Sequence, residues 1–152
     1  QVDEVAAFTD DAAAAAHGVL GPVIGRELAR QILDLDPEHL ILVGRGENSL
    51  FESFLSLPPG FPRDRVELAL VDVRHRDALE RLLERTRPEV ILHAAAHKHV
   101  SFLEKYPEEA VFNNVVATRD LLDLTQRSGT ERLVMLSTDK ATRITEIGVR
   151  MS

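Results

Sequence analysis

The chain has 152 residues, 44% hydrophobic and 28% charged, which suits a globular domain with a buried core. A net charge of −7 leaves no basic surplus to displace counterions, which argues against a nucleic-acid backbone as partner. The lack of cysteine excludes disulfides and thiolate metal sites and fits a cytoplasmic setting, and no apolar run is long enough for a membrane span.

Residues 1–11 are acidic and read as an N-terminal arm, with the domain proper over residues 12–152. Ala12 to Ala16 has helical propensity taken alone. Gly18, Gly21 and Gly25 follow it, and then Ile24, Leu28, Ile32 and Leu33 recur at helical spacing up to Leu35. A glycine-rich turn that opens a helix offers unpaired N–H groups and the positive end of the helix dipole to a pyrophosphate. On that reading Ala12 to Ala16 is the preceding strand. Leu40 to Val43 is the next apolar strand, and it runs into Gly44-Arg45-Gly46. Dinucleotide-binding strands often carry an acid here to hold the ribose hydroxyls. Gly44 removes that charge and Arg45 supplies the opposite one, which favours a 2′-phosphate and so NADP over NAD. A plain turn with a solvated arginine fits the same residues.

Asn48 to Leu57 reads as a helix with Leu50, Phe51, Phe54 and Leu55 on one side, broken by Pro58, Pro59, Gly60 and Pro62. A strand over Val66 to Val73 follows, then an amphipathic helix over Asp77 to Arg85 with Leu79, Leu82 and Leu83 inward. Val90-Ile91-Leu92 begins a buried strand, and Ala94, Ala95 and Ala96 keep its carboxyl end free of bulk. Such an end suits a flat ligand lying close to the main chain, or equally a tightly packed strand terminus before the basic turn His97-Lys98-His99. His93, His97 and His99 have no carboxylate nearby in sequence, so no metal site is expected. Pro107 to Gln126 predicts a long helix with Ala110, Val111, Val115, Leu121, Leu122 and Leu124 as apolar positions and Gly129 as its C-cap. Phe102, Leu103 and Tyr106 are expected under the sheet's edge or against a second subunit, and Arg132 to Lys140 is a fifth strand with its polar turn. About five strands alternating with helices specify an α/β, Rossmann-like, doubly wound parallel sheet with helices on both faces.

The stretches IGRELARQIL, LILVGRGENSLFE, VDVRHRDAL, VILHAAAHKHVSFLEKYPEEA, NNVVATRDLL and RLVMLSTDKA carry a resemblance. In order and spacing the chain resembles the CapD-like polysaccharide biosynthesis proteins, nucleotide-sugar 4,6-dehydratases and epimerases of the extended short-chain dehydrogenase/reductase superfamily. The resemblance covers Gly18 to Ala141 and implies a cytoplasmic NAD(P)-binding domain that serves a UDP-hexose and forms homo-oligomers. It implies that Gly18, Gly21 and Gly25 form the phosphate loop, with Arg45 near the adenosine ribose and Asp72-Val73 beside the adenine. Ala94, Ala95 and Ala96 would pass under the ribose and nicotinamide, Lys98 would stand at the mouth of the sugar-nucleotide site, and Thr138, Asp139 and Lys140 would face the hexose. Dehydration needs a base for the C5 proton and an acid for the departing C6 hydroxyl, and Asp139 and Lys140 could share those tasks.

The chain departs from that pattern at working positions. The family's loop is close to TGAGGSIG, whereas residues 17–25 read HGVLGPVIG, and Pro22 has no N–H to offer a phosphate. His97 stands where the family usually has Tyr. Gly148 and Ser152 occupy the positions of the superfamily's Tyr (Met in some of these dehydratases) and Lys, and cannot do the work of that pair. Family members continue into a carboxyl-terminal region that binds the nucleotide sugar, so the expectation is a nucleotide-binding part with little turnover by itself. The alternative is a catalytically silent Rossmann-like module that acts through nucleotide binding or association.

Overall fold

The computed structural model describes residues 4–8, 31–33, 36–95 and 104–136. Its sheet has five strands: β1 Glu4–Phe8, β2 His39–Gly44, β3 Val66–Leu70, β4 Val90–His93 and β5 Arg132–Met135. They lie in the order β3-β2-β1-β4-β5, and every pairing is parallel. The order runs outward from β1 to one edge and then outward again on the other side. β1 therefore sits at a topological switch point, where open α/β sheets bind ligands at the carboxyl ends of their strands.

This corrects the expected arm over residues 1–11. Val5-Ala6-Ala7-Phe8 is the central strand, paired with β2 along one side and β4 along the other. All four of these side chains are buried, because a strand covered on both faces needs no polar alternation. The domain accordingly begins before residue 12. The proposed strand Ala12 to Ala16 lies outside the described residues, as do Gly18, Gly21 and Gly25.

Alternate residues of the sheet feed two cores. Ala6, Phe8, Ile41, Val43 and Ile91 face a core completed by Leu79, Leu82, Leu83, Ala117, Leu121 and Leu124. Val5, Ala7, Leu40 and Leu42 face a second core with Ile32, Leu50 and Leu57. Helices therefore cover both faces, as the alternation of elements predicts. Residues 31–33 are helical and place Ile32 in that second core.

Helix α1, Glu47–Leu55, buries Leu50 and Ser53, while Phe51 and Leu55 are 54% and 60% exposed. The expected four-residue apolar face is thus only half used, because α1 lies over the β2–β3 edge and meets the sheet along a narrow stripe. The Arg63 guanidinium closes its carboxyl end, donating to the carbonyls of Phe54 and Leu57 and lying 4.9 Å from the Phe54 ring centre. Helix α2, Arg76–Thr86, buries Leu79, Leu82 and Leu83 as expected. Its last turn closes on Arg87, whose N–H reaches the Leu83 carbonyl at 2.8 Å.

The long helix is built in three parts: α3 Pro107–Ala110, a π-helical stretch Val111–Val116, and α4 Ala117–Ser128. Gly129 caps it in the left-handed region at φ 79°, as expected. Two expected inward positions turn out to face away, with Val111 and Val115 50% and 60% exposed. Steps of four back from Leu121 land on Ala117 and Asn113, so Asn113 takes the core position. Strands β3 and β5 are shorter than expected, ending at Leu70 and Met135. Tyr106 is 47% exposed rather than packed under the sheet, while Phe102 and Leu103 lie outside the described residues.

Candidate functional site

Register brings the strand ends together. Phe8 lies beside Val43 on one side and His93 on the other, and Gly44 lies beside Leu70. The ladder then runs one residue further on each side, with Val71 N–H donating to the Gly44 carbonyl at 2.9 Å and Ala94 N–H to the Phe8 carbonyl at 3.0 Å. At and just beyond these bonds lie Gly44-Arg45, Val71-Asp72-Val73 and Ala94-Ala95. Between them lies a small cleft lined by Phe8, Val43, Arg45, Asp72, Val73, Ala95 and Asn113.

Of the residues singled out from the sequence, the structure brings Arg45, Asp72, Val73 and Ala95 to one cleft, with Ala94 adjoining in the chain. Ala96, Lys98, Thr138, Asp139 and Lys140 lie outside the described residues, together with the glycines named above. Asn113 is a cleft residue that the sequence reading missed. It is 2% exposed, and its Nδ2 donates to the Ala95 carbonyl at 3.2 Å and to Asn114 Oδ1 at 3.1 Å. The helix thereby holds the end of β4 by a side chain projecting from its π-helical stretch, a geometry frequent at functional sites. The available signal was a polar residue four positions before Ala117 in the buried stripe.

His93 is buried beneath the same end of the sheet. Its ring meets Phe8 edge-on at 6.2 Å between centres, and its Nε2 lies 3.5 Å from Thr118 Oγ1.

Asp72 carries the cleft's best-defined carboxylate. Arg74 grips it with Nε at 3.0 Å from both oxygens and Nη2 at 2.6 Å from Oδ2, and the Arg74 N–H adds a bond to Oδ1 at 3.0 Å. The same guanidinium reaches Glu109 Oε2 at 3.0 Å, at the start of the long helix. Burial by itself would push the Asp72 carboxyl up. The bonds from Arg74 and the charges of Arg74 and Arg45 outweigh burial and hold it below its usual range. A carboxyl depressed on folding stabilises the protein above its unfolded value of about 4 and loses that contribution as pH falls through its lower folded value. Acid unfolding of Asp72→Asn should therefore begin from a lower stability at neutral pH and show a shallower decline below about pH 4 than the parent chain. Parallel pH-dependent urea curves would reject this if they stayed equally spaced across that range.

What the residues offer a ligand follows from their types. Small Ala94 and Ala95 admit a flat ring close to the main chain, Arg45 offers a cation at the β2 end, and Val73 offers an apolar wall.

A family described as "Polysaccharide biosynthesis protein" matches residues 18–149. The probable polysaccharide biosynthesis protein EpsC of Bacillus subtilis is 42% identical over 122 residues, covering 80% of this chain and 20% of that protein. The capsular polysaccharide biosynthesis protein CapD of Staphylococcus aureus is 35% identical over 123 residues, with the same 80% and 20% coverage. The chain thus spans about a fifth of the length of these relatives. Among solved structures, a UDP-glucose-4-epimerase of Stenotrophomonas maltophila, with bound NAD and formylated UDP-arabinopyranose, superposes with a TM-score of 0.69 at 18% identity. That superposition covers 91% of this chain and 38% of the epimerase, and it supports the Rossmann-like fold.

Proposed function

The chain belongs to the polysaccharide biosynthesis protein family, and we propose that it is the NAD(P)-binding part of a UDP-sugar 4,6-dehydratase or epimerase. The observation that carries this reading is the convergence of Arg45, Asp72-Val73 and Ala95 on one cleft beside the switch point of the sheet. Adenine would lie against Val73 with Asp72 at its edge, and the adenosine ribose would face Arg45. The replacement of an acid by Gly44-Arg45 favours NADP over NAD, since a cation there would meet a 2′-phosphate. When bound, the nicotinamide would supply the hydride acceptor. Asn113 would hold the Ala95 backbone level beneath the cofactor.

Lys98 is proposed at the mouth of the sugar-nucleotide site, with Thr138, Asp139 and Lys140, just beyond β5, facing the hexose. Gly18, Gly21 and Gly25 are proposed for the pyrophosphate and Ala96 for the ribose and nicotinamide. The outward apolar residues Val111, Phe112 and Val115 would serve association between copies. Among the described residues no helix is long and apolar enough to cross a membrane, and a cytoplasmic setting is part of the proposal.

Calorimetric titration with NADP⁺ and NAD⁺ tests this reading. Micromolar NADP⁺ affinity that drops about tenfold in Arg45→Ala, with NAD⁺ affinity little changed, is the expected result. No heat with either dinucleotide from a folded chain would refute the cofactor assignment. A second reading, a silent module acting by association, is favoured by Gly148 and Ser152 at the positions of the catalytic Tyr and Lys, and that negative result would support it.

A further inference from the structure

The cleft has two walls that come from distant parts of the chain. One is the turn after β3, carrying Asp72 and Val73. The other is the long helix, whose Asn113 holds Ala95. The Arg74 side chain joins them. Arg74 binds the Asp72 carboxylate through Nε and Nη2 and reaches Glu109 with Nη1 at 3.0 Å, so its planar fork spans both walls. The Arg74, Asp72 and Glu109 side chains are 28%, 12% and 39% exposed, so the Asp72 arm is better shielded from solvent than the Glu109 arm. Glu109 lies one helical turn before Asn113, so the outer arm of the bridge anchors the helix end that positions the Ala95 carbonyl.

We propose that Arg74 is a positioning residue for the dinucleotide, setting the spacing between the adenine wall and the helix wall by bridging Asp72 and Glu109. The inference rests on the dinucleotide reading above. It needs the guanidinium's shape as well as its charge. A lysine ammonium in that place is a point donor and cannot grip a carboxylate side-on while also reaching a second one. Removing Arg74 also leaves Asp72 and Glu109 facing the anionic cofactor without the cation between them.

The test is calorimetric titration of NADP⁺ and NAD⁺ into the parent chain, Arg74→Ala, Arg74→Lys, Glu109→Ala and the double variant Arg74→Ala/Glu109→Ala. Each is measured well below its own thermal midpoint. Arg74→Ala should weaken both dinucleotides about tenfold and Arg74→Lys should recover little of that loss, because a charge-assisted fork is replaced by a point charge. Glu109→Ala, which leaves the Asp72 contact intact, should weaken binding about threefold, in line with its more exposed arm. The double variant should bind no worse than Arg74→Ala alone. Parent-like affinity in Arg74→Ala, full recovery by lysine, or strictly additive losses would each overturn the bridge. If Arg74→Ala fails to fold, parent-like affinity in Glu109→Ala overturns it instead. A parent chain that binds neither dinucleotide removes the reading on which the inference stands, whereas a parent that binds with unaffected variants removes the inference alone.

Discussion

Phe8→Ala should lower the unfolding free energy by about 3–5 kcal/mol, the cost of emptying a large aromatic site in a packed core. Phe8 is 1% exposed and ends the central strand, where it packs among Ala6, Ile41, Val43 and Ile91 and meets the His93 ring edge-on. Neighbours on β2 and β4 are held by ladder bonds on both sides, so they cannot close the void by a small shift. The loss is a large share of the roughly 5–15 kcal/mol that a domain of this kind possesses. Urea unfolding would show it as a fall in midpoint with an unchanged slope. A residue in a loose arm would register almost nothing, so a change below about 1 kcal/mol would return Phe8 to the arm expected over residues 1–11.

Asn113→Leu should weaken both the fold and ligand binding. Leucine roughly keeps the volume but cannot donate to the Ala95 carbonyl, which belongs to a residue only 4% exposed. A buried acceptor left without its donor costs about 1–3 kcal/mol. Ala95 lines the cleft, so release of its backbone should also reduce dinucleotide affinity by about tenfold or more. Asn113→Asp separates shape from donation, since the carboxylate is similar in outline and has no N–H to give. Both variants are expected to lose binding. Parent-like affinity in Asn113→Asp, measured by titration calorimetry on folded protein, would show that the bond to Ala95 is dispensable.

Much of the architecture was legible without coordinates. Apolar runs such as Leu40 to Val43 and Val90 to Leu92 can be satisfied only where both faces are covered. The spacing of Leu79, Leu82 and Leu83 can face a core only as a helix. Those two periods, alternating, leave few arrangements other than a doubly wound sheet. The small residues at Ala94 and Ala95 and the exchange of an acid for Gly44-Arg45 were also readable, because they concern what the backbone admits and what charge it presents.

Tertiary structure decided the rest. Val5-Ala6-Ala7-Phe8 is too short and too acid-flanked to stand out from its neighbourhood. It becomes the central strand because β2 and β4 pair with it in register at once and two helical layers bury its alternate faces. Which side of the long helix turns inward depended on what it packs against, and that choice put Asn113 in the core and Val111 and Val115 outside. The arm of the bridge from Arg74 to Glu109 joins residues 35 positions apart, a distance over which local pattern carries no signal. Sequence by itself determined the kind of sheet and the residue types at its strand ends, because periodicity and residue type are local. The central strand, the buried amide and the ionic bridge were decided by packing, because each exists only once distant segments share one surface.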